Sequence, residues 1–455
     1  MARRLLWARG FSCNVLADMN DDTVRAATFP GISDMAACSG PPGPNKAAFD
    51  QRWRRIMDCV RLQQPDRMPV ALYATFWLAK YGGLSYKQLM YDVEACAAIA
   101  EAAVREFEPD ACAPLLTGAA LGRIFEAVEF EQLQWPGHGV GDMQPYQYLD
   151  REYVKAEELR DLLADPTGFY LRTYFPRIFG AAKGLENLPD VVGTFYLRSI
   201  TALRGLAHPD VKRALLRLIE AAEEVDRFAT RAGQWNQRMA EAGFPLMNGS
   251  NSGAPYDVIA DYFRGATGMM KDLFRHKELL HEALDMMRRS LVRMTVANAR
   301  AAGHPVVFIP IHWAPDAFMS PKQFETFWWP SFRQMMIDLI DQGLIPMPLW
   351  ESDCTKRLEV IKDIPPGKCI YWFERTDIVQ AHKVLGDRVA LRGNLSPSMM
   401  TTGTPAEVDA AVKRLVDEVW NEGGNLILDT AFGIPDETPV ANVRAMFDAA
   451  RRYAG

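Results

Sequence analysis

Three side chains that can bind a metal or move a proton follow two apolar runs in the last third of the chain. His312 lies near the end of the run at 304–313, and Glu351 and Asp353 lie near the end of the run at 344–354. One histidine and two carboxylates with an open fourth position resemble the ligand sets of catalytic zinc and of non-haem iron. The same groups could transfer protons without a metal. The sequence therefore predicts a metal site or an acid/base site, and both interpretations stay open.

Other polar and aromatic residues stand in or beside similar runs. Asp429 and Glu374 are the candidate acid/base residues, because each follows an apolar run of its own. Glu374 could equally belong to a structural ion-pair cluster with its neighbours. An aromatic lining suits an apolar or aromatic ligand better than a polyanion, although some of these rings must pack against helices. The candidate substrate pocket consists of Tyr73, Trp77, Trp313 and Asn394.

The apolar runs predict the elements that position these residues. Continuous apolar runs alternating with helical segments are typical of parallel strands buried on both faces, whose carboxyl ends bind ligands. Eight such strands alternating with helices predict an α/β fold, the (β/α)8 TIM barrel. The predicted strands lie at 66–73, 111–116, 245–251, 304–313, 344–354, 368–375, 389–394 and 425–429. Capping boxes that begin at Ser320 and Thr404 predict helix starts after the fourth and seventh strands.

The chain divides into an extension and one barrel. Residues 1–46 are predicted to be a flexible N-terminal extension that ends in the Pro/Gly-rich stretch before Lys46. Residues 47–455 are predicted to be the barrel, with a first helix from Ala47. Residues 146–242 carry helical spacing without a clear strand, which predicts a helical insertion between the second and third strands.

Composition excludes several classes of protein. The chain has 455 residues, a net charge of −6 and no basic stripe, so nucleic acid is not an expected partner. No apolar run is long enough to span a bilayer. Seven cysteines, an odd number, favour a reducing compartment over a disulfide framework and predict a cytoplasmic protein. The composition leaves the oligomeric state open.

Several motifs resemble the uroporphyrinogen decarboxylase superfamily. The early segment at 52–70 is similar to that superfamily's first helix and strand. Its C-terminal signature is similar to residues 393–397, 403–408, 424–429, 432–435 and 438–446 of this chain. The resemblance covers about residue 47 to the end and implies a TIM barrel.

The two chemistries of the superfamily leave different marks on the sequence. True uroporphyrinogen decarboxylases carry an arginine-rich segment after the first strand, whereas residues 72–79 contain no arginine, so uroporphyrinogen is not the expected substrate. The other branch comprises zinc methyltransferases that work with corrinoid proteins and thiols. Their His-x-Cys pair corresponds to Glu351 and Asp353, and Phe432 stands near their late cysteine. The thiolates are absent, and the two carboxylates with His312 would form a harder site for zinc or another divalent metal.

The resemblance therefore implies a metal-dependent, methyltransferase-like enzyme acting on a small, aromatic or methylated molecule. No cobalamin-binding Asp-x-His-x-x-Gly segment occurs in the chain, so cobalamin would come through a separate corrinoid protein. Two alternatives stay open. One is a metal-independent decarboxylase or lyase that acts on a small aromatic acid. The other is a non-catalytic subunit that binds the corrinoid partner.

Overall fold

Residues 40–118 and 120–455 are described by a computed structural model, and helices account for most of them. The predicted extension at residues 1–46 lies outside the described residues up to position 39. The α-helices are Lys46–Val60, Trp77–Gly82, Tyr86–Tyr91, Val93–Phe107, Gly122–Val128, Leu159–Ala164, Pro166–Phe169, Phe175–Ile178, Pro209–Glu241, Pro255–Ile259, Gly265–Arg275, Lys277–Ala302, Pro321–Gln323, Trp329–Asp341, Leu358–Ile361, Ile378–Leu385, Pro397–Thr402, Pro405–Leu415 and Val440–Ala454. The first of them begins one residue before the predicted start at Ala47. Among the described residues, no helix is both long enough and apolar enough to cross a bilayer.

Most strands lie within the predicted apolar runs. They are β1 Ala71–Leu72, β2 Ala111–Cys112, β3 Leu133–Pro136, β4 Gly139–Val140, β5 Gln147–Tyr148, β6 Ser250–Asn251, β7 Val306–Ile311, β8 Ile345–Trp350, β9 Ile370–Phe373, β10 Ala390–Leu395 and β11 Leu426–Thr430. Strands β6 to β11 form a parallel sheet in the order β11-β10-β9-β8-β7-β6. Every residue of β8, β9 and β11 is buried, as continuous apolar runs predict for a sheet covered on both faces.

The first two strands form a separate parallel pair, β1-β2. Isolated parallel bridges join Val70 to Leu428 on one side and Cys112 to Leu246 on the other. The Leu428 amide donates to the Pro69 carbonyl at 2.8 Å. The mixed α/β fold with a parallel sheet is thus confirmed. The regular ladders of the described residues form a two-stranded, a six-stranded and a small three-stranded sheet, however, and not one continuous closed barrel.

The region between β2 and β6 is not purely helical. Strand β5 lies inside the stretch predicted to lack strands, and it pairs antiparallel with β3, which pairs in turn with β4. Strands of two to four residues are too short to show alternation, so no periodic signal marks them in the sequence. Most of the remaining stretch is helical and includes the 33-residue helix Pro209–Glu241.

Local chemistry explains two of the helix starts. Both predicted capping boxes are confirmed: the Ser320 and Thr404 hydroxyls accept from the amides of Gln323 and Glu407, and those two side chains accept from the cap amides. The reciprocal bonds satisfy amide donors that the first turn of a helix leaves without partners. These caps fix where the chain turns back after β7 and β10.

Candidate functional site

Strand register brings His312 and Glu351 together. Ile311, the last residue of β7, pairs with Trp350, the last residue of β8, so the next residue of each strand emerges at the same edge of the sheet. His312 Nε2 lies 3.6 Å from Glu351 Oε1. Both side chains are about one-third exposed, at 36% and 37%. The pair, both of whose members were candidates from the sequence, can therefore exchange a proton with a bound molecule.

Two aspartates from the helical segment after β6 hold the histidine. Asp261 Oδ2 lies 2.6 Å from His312 Nδ1, and Asp261 Oδ1 accepts from the Trp313 indole at 2.6 Å. Asp257, one turn earlier and buried, accepts from the His312 backbone amide at 2.6 Å and from the Trp328 indole at 2.6 Å. A carboxylate on Nδ1 fixes the ring and leaves Nε2 facing Glu351.

The sequence interpretation missed both aspartates because it considered only strand ends. Asp257 lies in the first turn of helix Pro255–Ile259, and Asp261 lies in the π-helical turn Ala260–Arg264 that follows. Their spacing of four residues puts both carboxylates on one helix face, and that was the available signal. The π-helical turn at Asp261 agrees with the frequent use of such turns at functional sites.

Charges in this cluster shift the pKa values of its members. Burial lowers the pKa of His312, but the hydrogen bond to Asp261 and the charges of Glu351, Asp257 and Asp261 outweigh it and raise the pKa to about 9. Burial raises the pKa of Glu351 to about 7, with repulsion from Glu374 and Asp257 opposed by attraction to His312. Burial also raises the pKa of Asp257 to about 6. At neutral pH the imidazole is therefore protonated, while Glu351 gains and loses its proton readily.

Asp353 does not join this pair. Its side chain is exposed, and its Oδ1 accepts from the Thr355 amide at 2.9 Å and from the Thr355 hydroxyl at 2.6 Å. Within residues 40–118 and 120–455, no group of three or more His, Cys, Asp or Glu side chains is arranged to hold a metal ion. The predicted three-ligand set is therefore not assembled. The separation of His312 and Glu351 alone would allow both to contact one ion, at about 2.0–2.2 Å each.

A tight turn separates Asp353 from Glu351. Ser352 has a left-handed backbone, with φ of 58°, so Glu351 and Asp353 do not continue a strand that would put them on the same face. The Ser352 amide donates to Glu374 Oε2 at 2.5 Å. Glu374 also lies 3.4 Å from the Arg375 guanidinium. Glu374, predicted as an acid/base residue, thus fixes the turn that carries Glu351.

Asp429 is placed inside the protein. It is buried, its Oδ2 accepts from Arg392 Nη2 at 2.6 Å and from Nε at 2.9 Å, and its Oδ1 accepts from the Thr430 amide at 2.7 Å. Arg392 is also buried, and its guanidinium lies 3.6 Å from the centre of the Trp372 ring. Burial raises the pKa of Asp429 against the pull of Arg392. This carboxylate balances a buried cation, and its acid/base role stays a prediction.

Two of the predicted pocket residues are tryptophans with different positions. Trp313 belongs to the site, because its indole donates to Asp261. Trp77 does not, because it is buried, donates to the Thr438 carbonyl at 2.9 Å and packs against Phe107. Only the first of these rings can line a pocket at His312.

The other two predicted pocket residues, Tyr73 and Asn394, contact residues of the surrounding structure. Tyr73 is buried and stands edge-on to Trp372, with ring centres 5.0 Å apart. The Asn394 side-chain amide donates to the Thr376 carbonyl at 2.7 Å, and the Thr376 hydroxyl accepts from the Cys354 amide at 2.9 Å. Asn394 thus supports the loop after β8.

A row of tyrosines that the sequence interpretation missed lies near the pair. Tyr262, next to Asp261 in the chain, stands edge-on to Tyr148 with ring centres 6.0 Å apart, and Tyr148 stands edge-on to Tyr146 at 6.2 Å. Burial and nearby charges, Glu351 among them, raise the pKa of Tyr146 to about 12. The row therefore links the Asp261 side of the site to the Glu351 side. Two of its members, Tyr146 and Tyr148, come from β5 and the residues before it, where a helical insertion and no strand was predicted.

Comparisons with known proteins agree with the motifs. The family model described as "Uroporphyrinogen decarboxylase (URO-D)" matches residues 232–453, which include His312, Glu351 and the two aspartates that hold His312. The uroporphyrinogen decarboxylase of Coxiella burnetii is 25% identical over 268 residues, 57% of this chain and 68% of that protein. The enzyme of Idiomarina loihiensis is 24% identical over 321 residues, 69% of this chain and 81% of that protein.

Among solved structures, a methyltransferase from Methanosarcina mazei superposes with a TM-score of 0.55 and 16% sequence identity. The superposition covers 88% of this chain and 98% of that one. At this identity the likeness concerns the fold. The resemblance predicted from the sequence is thus confirmed, both in the family matched and in the presence of a methyltransferase among its structural neighbours.

Proposed function

We propose that this chain, a member of the uroporphyrinogen decarboxylase superfamily, is an enzyme that transfers a methyl group to or from a small molecule. The observation that carries the proposal is the row of Asp261, His312 and Glu351, with 2.6 Å from Asp261 to Nδ1 and 3.6 Å from Nε2 to Glu351. Such a row supplies an oriented acid and a base near neutral pH. The methyltransferase neighbour supports the choice of reaction class.

The reaction needs one proton transfer, which the pair can perform. When a thiol or hydroxyl of the substrate attacks a methyl group, ionised Glu351 accepts the proton of that thiol or hydroxyl. The electron pair of the broken methyl bond leaves with the methyl donor. In the opposite direction, protonated Glu351 returns this proton to the heteroatom that loses the methyl group, and the neighbouring His312 imidazolium donates a hydrogen bond from Nε2 to that heteroatom. Asp261 stays ionised and stabilises the imidazolium in both directions.

The architecture of the proposed enzyme is the (β/α)8 barrel of its superfamily. The two isolated bridges support it, since they link β1 to β11 and β2 to the residues before β6. His312 and Glu351 follow neighbouring strands at their carboxyl ends, where barrel enzymes bind substrates. The tyrosine row suits an aromatic or methylated substrate.

Zinc fits this site only in part. His312 and Glu351 would hold a divalent ion, whereas Asp353 bonds to Thr355 in the turn after Glu351. A bound ion would make a thiol or hydroxyl more acidic. The steps proposed above use only the chain's own residues. Cobalamin, if it carries the methyl group, would be supplied by a separate corrinoid protein.

Uroporphyrinogen is not proposed as the substrate, although the similar enzymes carry that activity in their names. Its carboxylates would need guanidinium partners, and residues 72–79 contain no arginine. Arg392 is buried against Asp429 and is not available either. We expect no formation of coproporphyrinogen above background.

A spectroscopic assay tests the proposal. The protein would be incubated with cob(I)alamin and a panel of methyl thioethers, methoxylated aromatics and methylamines, and methylcobalamin formation would be followed by absorbance. We expect turnover with at least one class and its loss in His312→Gln and Glu351→Gln, with Asp353→Ala as the matched control. Release of carbon dioxide from small aromatic acids without methyl transfer would support the decarboxylase alternative. Binding of a corrinoid protein without turnover would support the non-catalytic alternative.

A further inference from the structure

An exposed line of apolar side chains runs along the 3-10 helix Ser199–Ala207. A 3-10 helix has three residues per turn, so residues three apart lie above one another. The side chains that keep this spacing, which we call the apolar ridge, are Ile200, Leu203 and Leu206 within the helix and Leu197 in the turn just before it. Leu197 is 74% exposed and Ile200 54%, and Phe195, just before the ridge, is 90% exposed. Single exposed apolar residues are ordinary, but a continuous line of this kind marks an interaction surface.

The ridge is carried by a folded support. It leads directly into helix Pro209–Glu241, whose first turns bury Val211 and Ala214 in a small core of their own. The other end of that helix is tied down by the Trp235 indole, which donates to the Ala97 carbonyl at 2.9 Å. We call the ridge and this helix together the helical unit. The ridge is therefore exposed on a folded part of the protein that is packed against its neighbours.

Charges beside the ridge select the kind of partner. Arg198 and Arg204 are separated by two turns of the same three-residue repeat, so they share the neighbouring face, and both are exposed. Neither forms an ion pair with any residue in the described part of the chain. A partner that covers the ridge should therefore present apolar side chains flanked by carboxylates.

The helical unit itself carries a surface of that description. On helix Pro209–Glu241, Leu216 and Ile219 are 50% and 56% exposed. Glu220 and Glu223 continue the same helix face, and both are exposed; Glu223 also lies 4.0 Å from Arg227 of its own helix. We call these four residues the acidic face. An apolar pair followed by two carboxylates complements a ridge flanked by two arginines.

We propose that the ridge of one copy docks on the acidic face of a second copy of this chain. Because both surfaces belong to one helical unit, the contact is made twice about a two-fold axis. Arg198 and Arg204 then lie near Glu220 and Glu223 of the other copy. A lipid surface is the less suitable occupant, since these carboxylates and the net charge of −6 oppose an anionic bilayer.

The mass of the full-length protein in solution tests the proposal. Sedimentation velocity at micromolar concentration should show a dimer for the wild type and a monomer for the double variant Leu197→Glu/Ile200→Glu. Phe274→Glu changes another exposed apolar residue, 70% exposed and outside the helical unit, and should leave the dimer intact. Circular dichroism of each variant checks folding. A monomeric wild type, or a ridge variant that stays dimeric, would overturn the proposal.

Exchanging the charges of one proposed ion pair distinguishes a specific contact from a general effect of removing apolar surface. Arg204→Glu and Glu220→Arg should each weaken the dimer about tenfold, and the combination should restore it. Absence of that rescue would contradict the proposed pairing. Vesicles of phosphatidylglycerol test the alternative of a lipid surface. If the wild type is monomeric and sediments with the vesicles, and the ridge variant does not, the ridge binds lipid and the dimer proposal fails.

Discussion

The protonation of His312 decides how the pair with Glu351 works. Burial lowers the pKa of the imidazole, but the three carboxylates around it outweigh burial and raise the pKa to about 9. We expect a ring-carbon NMR signal, assigned with His312→Gln, to titrate near this value. Asp261→Asn should shift the midpoint toward the ordinary value of 6.5, because the hydrogen bond to Nδ1 loses its charge. A wild-type midpoint at or below 6.5 would contradict the described charge cluster.

The same shift has consequences for activity and stability. In the direction that methylates a thiol or hydroxyl, activity should rise as Glu351 ionises near pH 7 and fall as His312 loses its proton near pH 9, and Glu351→Gln should remove the rising limb. The folded protein binds the His312 proton more tightly than the unfolded chain does. This contribution to stability is therefore fully present below about pH 6.5 and is lost as the pH rises through about 9. A pH–rate profile on the identified substrate checks the first statement, and urea denaturation across this pH range, compared with His312→Gln, checks the second.

Asp429 and Asp353 give a matched pair of aspartate variants. Asp429→Ala leaves Arg392 buried without its partner and should cost about 3–5 kcal/mol of unfolding free energy. Asp353→Ala removes only an exposed cap and should cost about 1 kcal/mol. Urea denaturation measures both. Equal losses for the two variants would contradict the buried ion pair, and Asp429→Asn should also be destabilised, because its amide carries no charge to balance Arg392.

At the level of elements, the turn after β8 controls where Glu351 points. Ser352 has a left-handed backbone, which a β-branched residue tolerates poorly, so Ser352→Val should cost about 1–2 kcal/mol of unfolding free energy. Ser352→Gly should be nearly neutral, because glycine adopts this conformation without strain. The melting temperature and kcat/KM should fall together in the valine variant. If glycine and valine behave alike, the turn does not position Glu351.

The strands were predictable, and the turns between them were not. Long apolar runs identified β7 to β11 and, with them, His312 and Glu351, because the residue after a buried parallel strand must emerge at the sheet edge. Asp353 was predicted to share a face with Glu351 because two-residue alternation was extended past the end of the strand, whereas Ser352 has a left-handed backbone there. A left-handed backbone at one residue does not change the pattern of apolar residues, so the sequence pattern cannot predict it.

The helical segment that holds His312 was also beyond prediction. Asp257 and Asp261 are four residues apart, but this spacing of carboxylates is common on solvent-facing helices and carries little information by itself. Their meaning depends on the partners that the fold brings to them, above all the His312 ring and the Trp328 indole.

At the level of the whole molecule, contacts between residues that are distant in the sequence could not be predicted from local sequence patterns. Asp429 was expected at the site because it ends a strand, yet Arg392, 37 residues earlier, pairs with it in the interior. The tyrosine row likewise exists only in the folded chain. Tyr148 lies in β5 and Tyr262 in the π-helical turn Ala260–Arg264, and folding brings their ring centres to 6.0 Å.

Metal binding is a property of the assembled site and can be tested on the intact protein. Isothermal titration with zinc should give weaker binding in His312→Ala and Glu351→Ala than in the wild type, because these two side chains face each other. Asp353→Ala should bind zinc as the wild type does, since Asp353 bonds to Thr355. If Asp353→Ala loses zinc binding, this result would support the three-ligand site predicted from the sequence.

The buried pair of Arg392 and Asp429 also limits how far a substrate can enter. The rings of Phe308 and Trp372 lie beside the pair, and we expect these groups together to fill the space between the strands below the site. Phe308 lies four residues before His312 on the same strand, about 13 Å lower at the usual rise per residue. Only the reacting end of a substrate can then be enclosed, and the remainder must extend outward. Selectivity should accordingly depend on the terminal group of the molecule and little on the length of its tail.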